Sequence, residues 1–229
     1  IRPIAVGTTL RRLVAKVAAR QVYLQAGEYF VPRQLGICQS AGSEAAIHAV
    51  RMVTANKIDD PSYIAYQVDF RNAFNQCDRQ TFIQETTRIL PTIARWVHFC
   101  YHVPSTLAYH GHLISNSAGV QQGDPLGPIL FALCLRKLTD KIQQQGIFFQ
   151  TWYLDDGILI DSRSKVEQLI NVMASEGPRL GLFLCQDKSK FYWHTSASCT
   201  RETTYLGCPV GSRDYKEHFG RKQTTEEIQ

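Results

Sequence analysis

Between Phe148 and Ile160 the chain runs from apolar and aromatic residues into two adjacent carboxylates, Asp155 and Asp156, then Gly157, then apolar residues again. Two such runs with so short a polar step between them read as antiparallel strands joined by a tight turn. Asp and Gly tolerate the positive φ that short hairpins need. The acids then sit at the hairpin tip. As a turn alone the stretch needs no function, because Asp and Gly are ordinary turn residues. The other reading is a pair of metal-binding carboxylates, and the rest of the chain decides between them.

The elements around this hairpin set the fold class. Residues 8–25 read as a helix, with Leu10, Leu13, Val14 and Val17 at helical spacing and Arg11, Arg12, Lys16 and Arg20 on other faces. Glu28 to Gln39, with Pro32 and Gly36, is a loop or short extended piece. Ser43 caps the next helix, with Glu44 in its first turn, and that helix reaches about Asn56. Tyr63 to Phe70 is a buried strand with Asp69 almost at its end. Asp78 caps a helix that Pro91 interrupts. Ile93 to Tyr101 is helical again, and Thr106 to Ser115, around Gly111, is a hairpin.

The stretch from Gly119 to Pro128 is a tight loop that opens a helix within 124–128, where proline is tolerated. After the central hairpin comes a helix from Ser162 or Ser164 with Val166, Leu169, Ile170 and Met173 on one face. A strand, Phe191 to His194, and a last hairpin, Tyr205 to Val210, follow. From residue 63 the order is strand, helix, hairpin, helix, hairpin, helix, strand, hairpin. That is an α+β plan, an antiparallel sheet with helices packed on one face. On such a sheet Asp69 meets Asp155 and Asp156 at one edge. Three carboxylates there repel one another without a cation, and hard oxygen ligands suit Mg²⁺.

A chain of 229 residues, 44% of them hydrophobic, suits one large domain or two joined subdomains with a substantial core. It holds no run of about 18 apolar residues, so no membrane span is expected. It opens on Ile1-Arg2-Pro3-Ile4 without methionine or signal peptide, like a segment of a longer protein. Seven cysteines without a C-x-x-C pair argue against a zinc site or disulfide framework and fit a reducing setting. The seven histidines show no ligand spacing with them. The net charge of +5 is mild, but residues 1–27 carry Arg2, Arg11, Arg12, Lys16 and Arg20 and no Asp or Glu. Such a strip suits a phosphate backbone, or simply a solvated helix face.

Five ordered blocks together resemble the reverse transcriptase family, in its non-LTR (LINE-type) retrotransposon branch. They are Arg2-Pro3-Ile4 with Leu10-Arg11-Arg12-Leu13; Val68-Asp69-Phe70-Arg71-Asn72-Ala73-Phe74-Asn75; Gln121-Gln122-Gly123-Asp124-Pro125-Leu126-Gly127-Pro128; Tyr153-Leu154-Asp155-Asp156; and Gly181-Leu182 with Lys188-Ser189-Lys190, then Tyr205-Leu206-Gly207. Gln34-Leu35-Gly36-Ile37-Cys38 also resembles a stretch of the family's fingers. The resemblance implies a right-hand polymerase without its thumb. Partial fingers would occupy 1–62, palm 63–104, a fingers/palm hairpin and loop 105–122, palm with a primer-grip hairpin 123–211, and a polar linker or tail 212–229.

The resemblance also implies an activity: an RNA-directed DNA polymerase that joins a dNTP to a primer 3′-hydroxyl with two Mg²⁺ ions, Mn²⁺ being a substitute. Its partners would be an RNA template, a DNA primer or target DNA and dNTPs, with no membrane, inside the cell and with the nucleus as its place of action. Asp69 and Asp155 match the metal-bridging pair, and Asp156 the third acid. Phe74 matches the steric gate against a ribose 2′-hydroxyl, and Phe70, Gln122 and Gly123 the nucleotide pocket. Arg2 matches the arginine that reaches the triphosphate. Lys188, with Lys190 close by, matches the acid that protonates pyrophosphate. Tyr205, Leu206 and Gly207 match the primer grip.

Alternatives stay open. A lapsed or domesticated nucleic-acid-binding descendant need not keep all three acids, and all three are present. Maturases and telomerases are relatives within the class. An RNA-dependent RNA polymerase shares the palm chemistry, but Phe74 argues against it.

Overall fold

A computed structural model describes residues 6–57, 60–192, 203–210 and 215–216. The Arg2-Pro3-Ile4 block, His194 and nearly all of the polar 212–229 stretch lie outside them. Two helices open the described chain, α1 (Thr9–Gln21) and α2 (Tyr23–Phe30), and α3 (Gly42–Lys57) follows. Next come β1 (Tyr63–Val68), the short α4 (Ala73–Gln76), α5 (Arg79–Ile89) and α6 (Pro91–Tyr101). The exposed hairpin β2 (Ser105–Tyr109) and β3 (His112–Asn116) leads to α7 (Gly127–Gln144). The central hairpin is β4 (Phe149–Tyr153) and β5 (Asp156–Ser162), then α8 (Arg163–Glu176), β6 (Lys190–Tyr192) and a last hairpin, β7 (Thr203–Tyr205) and β8 (Cys208–Val210).

Several local signals act as the residues suggest, and one does not. Asp78 caps α5, its carboxylate accepting from the Thr81 N–H at 2.6 Å. Pro91 and Pro128 sit in first turns, where a missing N–H costs nothing. Ser43 does not cap α3, because the helix begins one residue earlier at Gly42. A side chain at Gly42 would collide with the Leu35 carbonyl, so packing against the preceding loop sets that start.

The sheet order is β4-β5-β1-β6, and every pair in it is antiparallel. Side chains alternate between its faces. Ile64, Tyr66, Val68 and Leu159 join the large core with Phe82, Leu130, Leu133, Val166 and Leu169 from α5, α7 and α8. Ala65, Ile158, Ile160 and Tyr192 join a second core with Ala46, Ile47 and Val50 of α3 and with Tyr205 and Val210 of the last hairpin. The expected helical layer is present, and α3 with the β7–β8 hairpin closes the opposite face.

Two expectations need correction at the start of the chain. The 8–25 helix is two helices that meet at Val22, and α2 runs into what reads as loop, up to Phe30. The apolar stripe of α1 also faces outward: Leu10, Leu13 and Val17 are exposed, while Ala15, Ala18 and Val22 are buried. The inward face is made of small residues beside Arg11, which reaches the buried Asp124 at 3.5 Å and lies over the Tyr101 ring. A buried carboxylate without a cation is costlier than an exposed leucine, and that orients the helix. Arg12, Lys16 and Arg20 are left exposed at four-residue spacing.

Candidate active site

Tyr153 pairs with Asp156, which makes Leu154 and Asp155 the two turn residues of the central hairpin. The positive φ, 55°, falls on Leu154 rather than on an Asp or Gly. A left-handed backbone costs a residue with a Cβ roughly 1–2 kcal/mol. Both backbone polar groups of Leu154 bond to the side chain of Gln34: its Oε1 accepts from the Leu154 N–H at 2.7 Å, and its Nε2 donates to the Leu154 carbonyl at 3.0 Å. Gly157 serves packing, not the turn. It lies in β5, and a Cβ there would sit 2.3 Å from the Trp152 ring.

Register places the third acid. The last residue of β1, Val68, pairs with Gly157, so Asp69 emerges beside the Asp155–Asp156 turn. The 183–189 loop fastens it there. The Asp69 N–H donates to the Ser189 hydroxyl at 3.1 Å. Its carbonyl accepts from the Cys185 N–H, and the Phe183 carbonyl accepts from the Arg71 N–H, both at 2.8 Å.

Asp69, Asp155 and Asp156 line one open cleft of about 400 Å³, together with Phe70, Phe74, Gln122 and Lys188. Residues far apart in sequence are thus brought together. Phe70 borders the cleft, but its ring is buried and stacks on Trp152. The loop holding Gln122 is tied to Phe74 by the Val120 N–H, which donates to the Phe74 carbonyl at 2.8 Å. Gln122 itself donates to the Asn75 amide oxygen. Lys188 is exposed in the cleft lining, whereas Lys190 sits in β6 opposite Gln67. Gly123 lies apart, in a small cavity with Arg11 and Asp124.

Tyr205, Leu206 and Gly207, the residues that match the family's primer grip, do not line this cleft. Tyr205 is fully buried, and its hydroxyl donates to the Asp156 carbonyl at 3.3 Å, so it supports the hairpin from beneath. Burial, then the nearby Asp156 charge, pushes its phenol up. Leu206 and Gly207 form a two-residue turn, both with positive φ. Arg2 lies outside the described residues.

Other residues of the site carry no sequence signal strong enough to single them out. Asp187 adds a further carboxylate to the cleft. Within the 119–126 loop, Asp124 accepts from the Tyr101 hydroxyl at 2.7 Å and from the Leu126 N–H at 2.9 Å. Arg79 donates to the Gly119 carbonyl at 2.9 Å and lies over the same Tyr101 ring. Among the described residues no three His, Cys, Asp or Glu side chains form a cage around one ion. Carboxylates at the rim of an open cleft nevertheless fit Mg²⁺, which takes one or two carboxylates and completes its shell with waters and substrate phosphates.

Comparison with known proteins decides the family. The sequence model of "Reverse transcriptase (RNA-dependent DNA polymerase)" matches residues 1–210. The chain belongs to the reverse transcriptase family. No curated protein matches it by sequence. Among solved structures, this reverse transcriptase chain is similar to telomerase from Candida albicans in complex with a fragment of telomeric RNA, with 12% identity, TM-score 0.63, and 90% of this chain and 37% of that one covered. Telomerase from Candida tropicalis in the corresponding complex gives 12% identity, TM-score 0.64, and coverage of 85% and 36%. An RdRp complex gives 10% identity, TM-score 0.56, and coverage of 90% and 20%. At these identities the likeness establishes the polymerase palm fold. The chain spans little more than a third of the telomerase chains it resembles.

Proposed function

We propose that this chain is the polymerase core of a non-LTR (LINE-type) retroelement protein and copies RNA into DNA. The observation that carries it is the convergence of Asp69, Asp155 and Asp156 on one cleft beside Phe74 and Lys188, within a reverse transcriptase domain. Asp69 and Asp155 would hold two Mg²⁺ ions, or Mn²⁺ in their place, with Asp156 a more peripheral contact. Bound there, such ions supply activation of a primer 3′-hydroxyl and neutralisation of the charge on the leaving pyrophosphate.

The chain's own residues do the rest. Phe74 closes the space where a ribose 2′-hydroxyl would lie, favouring dNTPs. Gln122 and the Phe70–Arg71 backbone border the nucleotide. Lys188, placed in the cleft where Lys190 is not, donates the proton to pyrophosphate. Arg2 would reach the triphosphate from the fingers. The exposed row of Arg12, Lys16 and Arg20 suits the backbone of an RNA template or DNA primer. The β7–β8 hairpin positions the primer end through its Leu206–Gly207 turn. The nucleus is the proposed place of action.

A telomerase-type relative is the second reading, favoured by the telomerase structures among the similar folds. Primer extension on an RNA template by the intact protein tests the activity, with Asp155→Asn as control. Requirement for a dedicated telomeric-type template, rather than any primed RNA, separates the two readings.

A further inference from the structure

We infer that Gln34 is a positioning residue that locks the catalytic turn in shape. This rests on reading Asp155 and Asp156 as the polymerase acids. Gln34 is 120 residues from the turn and 5% exposed. Its amide oxygen accepts from the N–H groups of Leu154, at 2.7 Å, and Gly36, at 3.0 Å, while its amide nitrogen donates to the Leu154 carbonyl at 3.0 Å. Only this orientation satisfies all three, because a flipped amide would face two donors with a third. The peptide groups on both sides of the left-handed Leu154 are thereby held by one side chain.

The clamp is built into its surroundings. The backbone of the same segment pairs with β4: the Trp152 N–H donates to the Arg33 carbonyl at 2.7 Å, and the Leu35 N–H donates to the Trp152 carbonyl at 2.8 Å. Gly36 leaves room for the turn, since a Cβ there would lie 2.8 Å from the Leu154 nitrogen. Because the backbone pairing does not need the side chain, Gln34→Met keeps the segment in place and the volume filled while removing all three hydrogen bonds. Only the two-residue turn itself then holds the leucine left-handed, against the cost of its Cβ, and Asp155 and Asp156 swing more freely with the turn. Glycine adopts that conformation freely, so Leu154→Gly makes the clamp dispensable.

The test combines two readouts on Gln34→Met, Leu154→Gly and the double variant. Backbone hydrogen exchange is followed at Leu154 and Asp155 and, as an internal standard, at Ile158 to Ile160. Single-nucleotide incorporation gives kcat and KM. In Gln34→Met, exchange at Leu154 rises about ten-fold or more, as expected when buried hydrogen bonds are lost. Exchange at Ile158 to Ile160 stays as in the parent. The kcat falls about ten-fold with little change in KM, and the double variant recovers most of that loss. Unchanged exchange at Leu154, equal acceleration throughout β5, or no rescue by Leu154→Gly would each overturn the positioning role. Loss of polymerase activity in the unsubstituted protein would instead count against the proposed function, and the exchange readout would still judge the clamp.

Discussion

The Phe74 ring lies nearly parallel to that of Phe131, with centroids 4.2 Å apart and an angle of 18° between planes. Phe131 is fully buried in α7, so the half-buried Phe74 is backed by a rigid wall. A ring that cannot retreat can exclude a group that approaches it. Phe74→Val removes that bulk and should lower dNTP-over-rNTP discrimination by roughly ten-fold or more, the scale of pocket-shape selection. The ratio of kcat/KM for the two nucleotides measures it. Unchanged discrimination would leave Phe74 a core residue only.

Gly157→Ala should destabilise the fold by about 1–3 kcal/mol, because the added methyl meets the buried Trp152 ring and overpacked cores strain. Urea unfolding followed by tryptophan fluorescence reads this as a lower midpoint. A neutral substitution would mean that β4 and β5 separate more easily than their packing implies.

Alkaline pH should weaken the protein through two phenols. Burial pushes Tyr101 well above its ordinary value, and the Asp124 charge and hydrogen bond push further. Tyr205 is raised by burial, then by Asp156. A group whose folded pKa is raised stabilises while protonated. The contribution is complete below the unfolded value near pH 10 and is lost as pH rises toward the folded value. Denaturant midpoints should therefore fall above about pH 10. Tyr101→Phe should lower stability at neutral pH by about 1–3 kcal/mol, because Asp124 loses a buried donor. It should also flatten the alkaline fall, and an equally steep fall in that variant would assign it to other groups.

Neutralising Arg12, Lys16 and Arg20 together tests whether their exposed row meets nucleic acid. If all three meet phosphates, the salt dependence of single-stranded RNA binding should drop by about 0.7 per contact, roughly 2 in all. An unchanged slope would make the row a solvated surface.

The sequence shows where the residues of the candidate site lie because strand ends and turns announce themselves locally. Asp69 closes an apolar run, Asp155 and Asp156 interrupt another, and Asp78 caps α5 as its position suggests. What the residues conceal is what depends on distant partners. Leu154 is left-handed as the first residue of a two-residue turn, with both its polar groups bonded to the distant Gln34, and leucine's own preference would not assign it that φ. Gly157 looks like a turn glycine but is set by Trp152. The outward-facing stripe of α1 follows from Arg11 reaching Asp124, more than a hundred residues away. Ser189 grips Asp69 across a similar separation, and a lone serine carries no signal of that.

The most direct measurement is primer extension on an RNA template by the intact protein beside its Asp155→Asn variant, with dNTPs and Mg²⁺. The unsubstituted protein should extend the primer, and the variant should lose about 10³-fold or more of that rate, the scale for removing a group that stabilises transition-state charge. Equal incorporation by the two proteins would contradict the assignment of Asp155 and, with it, the polymerase site.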